Sequence, residues 1–239
     1  MVVRRRCAPM GRLGDVAVSE GRGTTPEKGG GIVSAVTEAR RLSPLAVNAV
    51  VEAGDVLGQA FVSDPLMLYY FEGDRDRAKP VRKTMTLAAE LTLRYGAAFR
   101  LDVGARFTGV ALLLPPKVRD LPLLAVVAAV LRTPSLWRPR ALSRHLGVTS
   151  SIEENRPAFP CWTLLSMGVV PAYQHRGHGS WLLQGVLHEL PAGSAVCLET
   201  DNERNLPLYE RHGFEVTSEF LAHHGRGPRT WAMLRAARR

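Results

Sequence analysis

Residues 161–200 place the strongest constraint on what this chain can fold into. CWTLLSMGVV (Cys161–Val170) is a mostly apolar ten-residue run and reads as a buried strand. PAYQHRGHG follows as a turn punctuated by Gly177 and Gly179. Ser180–Leu190 sets Leu182, Leu183, Val186, Leu187 and Leu190 on one helical face, and Pro191-Ala192-Gly193 ends it. Ala195–Thr200 is a short strand. A helix from near Asn205 to His212 stops at Gly213, and Phe214–Ala222 and Arg229–Leu234 read as closing strands. Strand, glycine turn, helix, strand, helix, strand is an α/β order with a mixed, partly parallel sheet flanked by helices.

Upstream, Pro44–Phe61 repeats apolar residues at helical spacing, interrupted by Gly54. Asp64-Pro65 opens a short helix holding Leu66, Met67, Tyr69, Tyr70 and Phe71, and residues 80–95 form a clearer amphipathic helix ending near Gly96. Ala97–Asp102 and Phe107–Leu114 pair as strands, with Pro115-Pro116 stopping the second. Residues 121–132 and 136–146 read as two helices split by Thr133-Pro134. Residues 1–31 lack periodicity and are rich in Gly, Arg, Pro and Thr, so they read as a disordered tail or as residues upstream of the true start. The expected organisation is a basic tail over 1–41, one domain over 42–235 with a helical insert at 117–156, and a basic end at 236–239.

The net charge of +9 first suggests a polyanionic partner. Its distribution argues otherwise. Residues 1–41 carry eight basic and four acidic side chains, and Arg235, Arg238 and Arg239 add three positive charges. Seven of the nine net charges thus lie in the terminal segments, and the central domain is nearly neutral. No broad nucleic-acid face is expected. Cys7, Cys161 and Cys197 form no C-x-x-C pair, so neither a disulfide framework nor a zinc knuckle is read. The longest apolar run, Leu121–Leu131, is too short to span a bilayer. Residues 1–31 show no secretory h-region, so the expected compartment is the cytoplasm, with no membrane partner.

The segment Gln174-His175-Arg176-Gly177-His178-Gly179 sits between the buried strand and the amphipathic helix. Two glycines let the main chain curl close to a ligand. Free amides at the helix start, including that of Ser180, point where the helix dipole favours negative charge. Arg176 adds a charge-assisted contact, and the natural ligand is a pyrophosphate. A dinucleotide fingerprint is not met, because Leu182 stands where the third glycine belongs. A P-loop is not met either, because the segment has no lysine. An ordinary glycine turn between strand and helix is the remaining plain reading.

Q-x-x-G-x-G, here Gln174 to Gly179, resembles the coenzyme A pyrophosphate loop of the GNAT acyltransferases. CLETDNERNLPLYERHGFEV resembles the second half of that pattern, and with GPRTW it is similar to the puromycin N-acetyltransferase-like branch. The likeness is specific from Cys161 to Arg235, and FVSDPLMLYYF resembles the short helix over the acceptor pocket. It implies the GNAT fold, with splayed middle strands, and an N-acetyltransferase that moves an acetyl group from acetyl-CoA to a small primary amine.

The resemblance also implies roles. Tyr209 would be the acid beside the thioester sulfur, and Asn205 would bond the pantetheine or cap its helix. Main-chain groups of Leu165–Val170, including Met167, would hold the pantetheine arm, with the N–H of Val169 or Val170 donating to the thioester carbonyl. Glu199, a carboxylate in a buried strand, is the candidate base; an arginine-paired structural role is its plain alternative. Tyr69, Tyr70 and Phe71 would line the acceptor pocket, or pack as core. His175, His178, His188 and His212 fall on a phosphate loop and on different faces. They read as solvent-bordering residues, and no metal is expected. Exposed strand edges suit a homodimer. The other class of reading is an acyl-CoA-binding or protein-interaction module that performs no transfer, and a third is a protein or peptide acetyltransferase.

Overall fold

A computed structural model describes residues 39–118 and 139–237. They build a seven-stranded sheet in the order β1-β2-β3-β4-β5-β7-β6. β1 is Arg40–Pro44, β2 Ala97–Val103, β3 Arg106–Leu114, β4 Trp162–Val169, β5 Val196–Thr200, β6 Glu215–Leu221 and β7 Arg229–Arg235. All neighbours are antiparallel except β4 and β5, which run parallel. The mixed, partly parallel sheet flanked by helices matches the expected class.

Strand composition explains the two layers. In β3, Val110 and Leu112 face one side and Ala111 and Leu113 the other, and all four are fully buried. A strand covered on both faces needs a continuous apolar run, which GVALLL supplies. On the Val110 face lie α1 (Val50–Phe61), α2 (Pro65–Tyr70), α3 (Ala78–Tyr95) and α4 (Pro139–Asn155). On the Leu113 face lie α5 (His178–Glu189) and α6 (Leu206–Glu210), with Leu182, Leu183 and Val186 against Leu101, Leu198 and Met233.

Several boundaries differ from the sequence reading. The expected tail boundary falls inside β1, where Arg40 pairs with Val103 and Pro44 with Phe99. RRLSP carries no apolar alternation; its place comes from β2 and from Leu42 packing beneath the sheet. Pro44 is therefore strand, not helix. Gly54 does not interrupt α1: a Cβ there would lie 1.9 Å from Thr86 Oγ1, so the glycine is where α3 crosses close by. The expected helix at 121–132 lies outside the described residues. The one expected at 136–146 runs on to Asn155 as α4, because Val148 and Ile152 extend its buried face. Helix α6 is shorter than expected, and Gly213 follows it at φ 82°. No helix among the described residues is long and apolar enough to cross a membrane.

Candidate active site

Strands β4 and β5 touch through only two pairs, Trp162 with Val196 and Thr163 with Cys197. Beyond Thr163 they part. β4 stays bound to β3, and β5 to β7. A bulge leaves Leu165 without a partner in β3, between the pairs Leu113–Leu164 and Leu112–Ser166. Past the bulge, Val170 N–H donates to the Thr108 carbonyl at 2.8 Å. By strand alternation the main-chain groups of Met167 and Val169 therefore face the gap. This corrects the expectation for Val170, whose amide is spent on β3 and is not the free donor. The Val169 carbonyl accepts from Gln174 Nε2 at 2.8 Å.

The glycine turn closes the gap at the end of β4. His175 and Gly177 both have positive φ, 59° and 80°, and Gly177 is the N-cap of α5. The first helical bond is Trp181 N–H to the Gly177 carbonyl at 3.0 Å. The amides of Gly179 and Ser180 thus have no acceptor within the helix. A Cβ on Gly177 would meet nothing within 4 Å, and one on Gly179 only Leu208 Cδ2 at 3.9 Å. Open space before orphan amides, with exposed Arg176 alongside, fits a pyrophosphate. The Arg176 guanidinium lies 5.9 Å from the Tyr173 ring. His178 does not border solvent as expected: it is buried with its ring 5.8 Å from Tyr173. His212 Nδ1 lies 2.9 Å from the Leu208 carbonyl, which only accepts, so Nδ1 carries the proton. Its Nε2 then accepts from the Ser180 hydroxyl at 3.2 Å, leaving the Ser180 amide for a ligand.

After β5 the chain turns through Asn202, whose side chain accepts from Arg204 N–H at 3.2 Å. Asn205 does not cap α6 with its side chain; its Nδ2 donates to Thr200 Oγ1 at 3.4 Å. Tyr209 is buried, with its ring 5.8 Å from Phe214. Burial, and secondarily the charge of Asp64, pushes its phenol up to about 12, so at neutral pH it keeps its proton. Glu199 is nearly buried on β5 and accepts from Arg156 Nε at 3.4 Å, which is the arginine-paired arrangement. Burial raises its carboxyl and Arg156 pulls it back.

The aromatic trio separates. Phe71 is 2% exposed and belongs to the core rather than a pocket. The Tyr70 ring lies 5.2 Å from the His145 ring, tilted to it by 51°, and is buried. Tyr69 shares a 2.7 Å hydrogen bond with His223 Nδ1 beneath the Arg144 guanidinium. Burial raises the Tyr70 phenol, and two carboxylates to which the sequence reading gives no site role add to the rise. Asp64 caps α2, its Oδ1 accepting from Leu66 N–H at 3.0 Å, and burial raises its carboxyl. Asp201, just past β5, accepts a hydrogen bond from the Thr230 hydroxyl. Burial pushes it up to about 7, with Asp64 and Glu199 adding to the rise. A carboxylate two residues after Glu199 was the available signal. Among the described residues, no group of three or more His, Cys, Asp or Glu side chains is placed to hold a metal.

Residues 143–216 match the family model of the acetyltransferase (GNAT) domain. The fold is shared with a histone acetyltransferase HPA2-related acetyltransferase from Corynebacterium glutamicum, at 20% identity and TM-score 0.60, over 84% of this chain and 97% of that one. A polyamine N-acetyltransferase of Drosophila melanogaster that forms N-acetylagmatine aligns at 14% identity and TM-score 0.58, over 83% of this chain and all of that one. The C-terminal condensation domain of Ebony, solved with β-alanyl-dopamine, aligns at 12% identity and TM-score 0.56, over 84% and 100%. The architecture is that of the GNAT fold, and the family match with it supports an acyltransferase enzyme.

Proposed function

We propose that this chain transfers the acetyl group of acetyl-CoA to the primary amine of a small molecule, by direct attack of the amine on the thioester. The observation that carries the proposal is the gap between β4 and β5. It offers main chain that no strand pairs at Met167 and Val169, beside the amides of Gly179 and Ser180, which have no acceptor within α5. The pantetheine arm takes the place of a strand along β4, and the pyrophosphate sits on the turn with Arg176. The Val169 N–H donates to the thioester carbonyl as charge develops there. Tyr209 protonates the departing thiolate, a contribution of about 10²–10⁴-fold.

An amine acceptor is favoured by the raised carboxyls around Tyr70, which suit an ammonium approaching from that side. The polyamine N-acetyltransferase and an agmatine N-acetyltransferase of the same fold act on such compounds, by their names. Likeness to the puromycin-acetyltransferase branch rests on LETDNERNLPLYERHGFEV and GPRTW. Placement in the cytoplasm and assembly as a homodimer rest on sequence character alone.

Acetyl-CoA should raise the melting temperature of the protein, and Gly179→Trp should abolish the rise by filling the turn. Thiol release from acetyl-CoA should then depend on an added primary amine. No thermal shift at millimolar acetyl-CoA would overturn the proposal.

A further inference from the structure

We infer that Asp201, held by Thr230 just past the end of β5 where that strand has parted from β4, is the base that takes the proton from the incoming ammonium. The inference rests on the transfer reading above. Glu199, the residue the sequence favours, is committed: its carboxylate lies against the Arg156 guanidinium, and both side chains are nearly buried, at 12% and 13% exposure. A carboxylate held in that pair is a poor proton acceptor, because protonation would strand the guanidinium.

Asp201 is placed differently. One oxygen, Oδ1, accepts from the Thr230 hydroxyl of β7, which fixes the plane of the carboxylate. The other, Oδ2, has no hydrogen-bond donor among the described residues. No Lys, Arg or His among them forms an ion pair with Asp201. The charges that act on it are acidic, Asp64 at the start of α2 and Glu199 on β5 itself, and Asp201 in turn acts on the Tyr70 phenol. Asp64 is tied to the α2 amides, so its part is to bias Asp201, not to accept the proton. Burial, and after it the charges of Asp64 and Glu199, bring Asp201 to about 7, where a carboxyl exchanges protons near neutral pH.

The step balances as follows. The ammonium gives one proton to Asp201 Oδ2 and becomes an amine. The nitrogen lone pair forms the bond to the thioester carbon, and the C–S bond breaks as the tetrahedral adduct collapses. The adduct nitrogen loses its second proton, and an equivalent proton restores the Tyr209 phenol after it has protonated the thiolate. Asp201 returns its proton to solvent, so one proton is released for each amide and free thiol formed.

The test is the pH dependence of kcat/KM from pH 5.5 to 9, with tyramine, putrescine and butylamine as acceptors. The unaltered protein should rise about tenfold per pH unit below 7 and level off above it. Asp201→Asn should lose at least about 10²-fold at pH 8 together with that rising limb. It should keep the acetyl-CoA thermal shift, which reports that the variant is folded. Thr230→Val removes a donor to the charged carboxylate, so the limb should move to higher pH, an outcome that a merely structural Asp201 would not give. Glu199→Gln should keep the limb and move it to lower pH, because one of the charges that raise Asp201 is gone.

An Asp201→Asn protein that retains the limb and stays within threefold of the original activity would overturn the assignment. So would a Glu199→Gln protein that loses the limb. An acetyl-CoA thermal shift without amine-dependent thiol release by the unaltered protein would overturn the transfer reading, and this one with it.

Discussion

The side-chain amide of Gln174 donates to the main-chain carbonyl of Val169 at 2.8 Å, tying the glycine turn back onto the last residue of β4. That carbonyl faces the gap, where no strand pairs with it. Gln174→Ala should cost about 1 kcal/mol of turn order and weaken acetyl-CoA binding about fivefold, read by calorimetry. Gln174→Glu sets an acceptor against an acceptor and should weaken it further.

Tyr209 is held as a neutral phenol by its burial. Tyr209→Phe should lower kcat by about 10²-fold and leave the acetyl-CoA dissociation constant within about twofold, because only the departing thiolate needs the proton. Steady-state kinetics with thiol detection decide it. An unchanged kcat would remove Tyr209 from the mechanism.

Gly54→Ala sets two effects against each other. Alanine in a helix is favoured over glycine by about 0.5–1 kcal/mol. The new Cβ would lie 2.9 Å from the Thr86 Cα, and main chain does not yield cheaply. Overpacking of this kind costs about 1–3 kcal/mol, so the variant should be less stable in urea unfolding.

Arg156→Ala leaves the Glu199 carboxylate buried without its guanidinium. The expected cost at pH 8 is about 3–5 kcal/mol. A carboxyl whose folded pKa lies above its unfolded one gains a proton on folding, so stability falls as pH rises through that interval. Removing Arg156 raises the folded value further. The variant should therefore recover stability when the pH is lowered from 8 toward 5.5, and Arg156→Ala with Glu199→Gln should recover it at pH 8. Urea unfolding at the two pH values reads both.

The parts of the site that the sequence makes legible are local. Gly177 must take a left-handed conformation to start α5, and the apolar face of α5 is plain in Leu182, Leu183 and Val186. β1 is not legible, because RRLSP becomes a strand only when β2 is beside it. The extension of α4 hides behind Gly147, which is small because the His223 ring occupies the space a Cβ would take. Arg156 and Glu199 stand 43 residues apart, and Asp201 and Thr230 stand 29 apart. Nothing in either local segment announces its partner. The fate of the Val170 amide is likewise decided on a different strand, at Thr108.

The two-pair contact between β4 and β5 is also a mechanical fact. Each strand is laced along its other edge, to β3 and to β7, so beyond Thr163 each half of the sheet is hydrogen-bonded separately. The halves are pinned at Trp162–Val196 and Thr163–Cys197, where the Thr163 hydroxyl and the Cys197 sulfur lie 3.5 Å apart. A small rotation at such a pivot becomes a larger displacement at the far tips, near Val169 and Thr200. The width of the opening is therefore governed from its closed end, by buried side chains remote from the turn that meets the pyrophosphate.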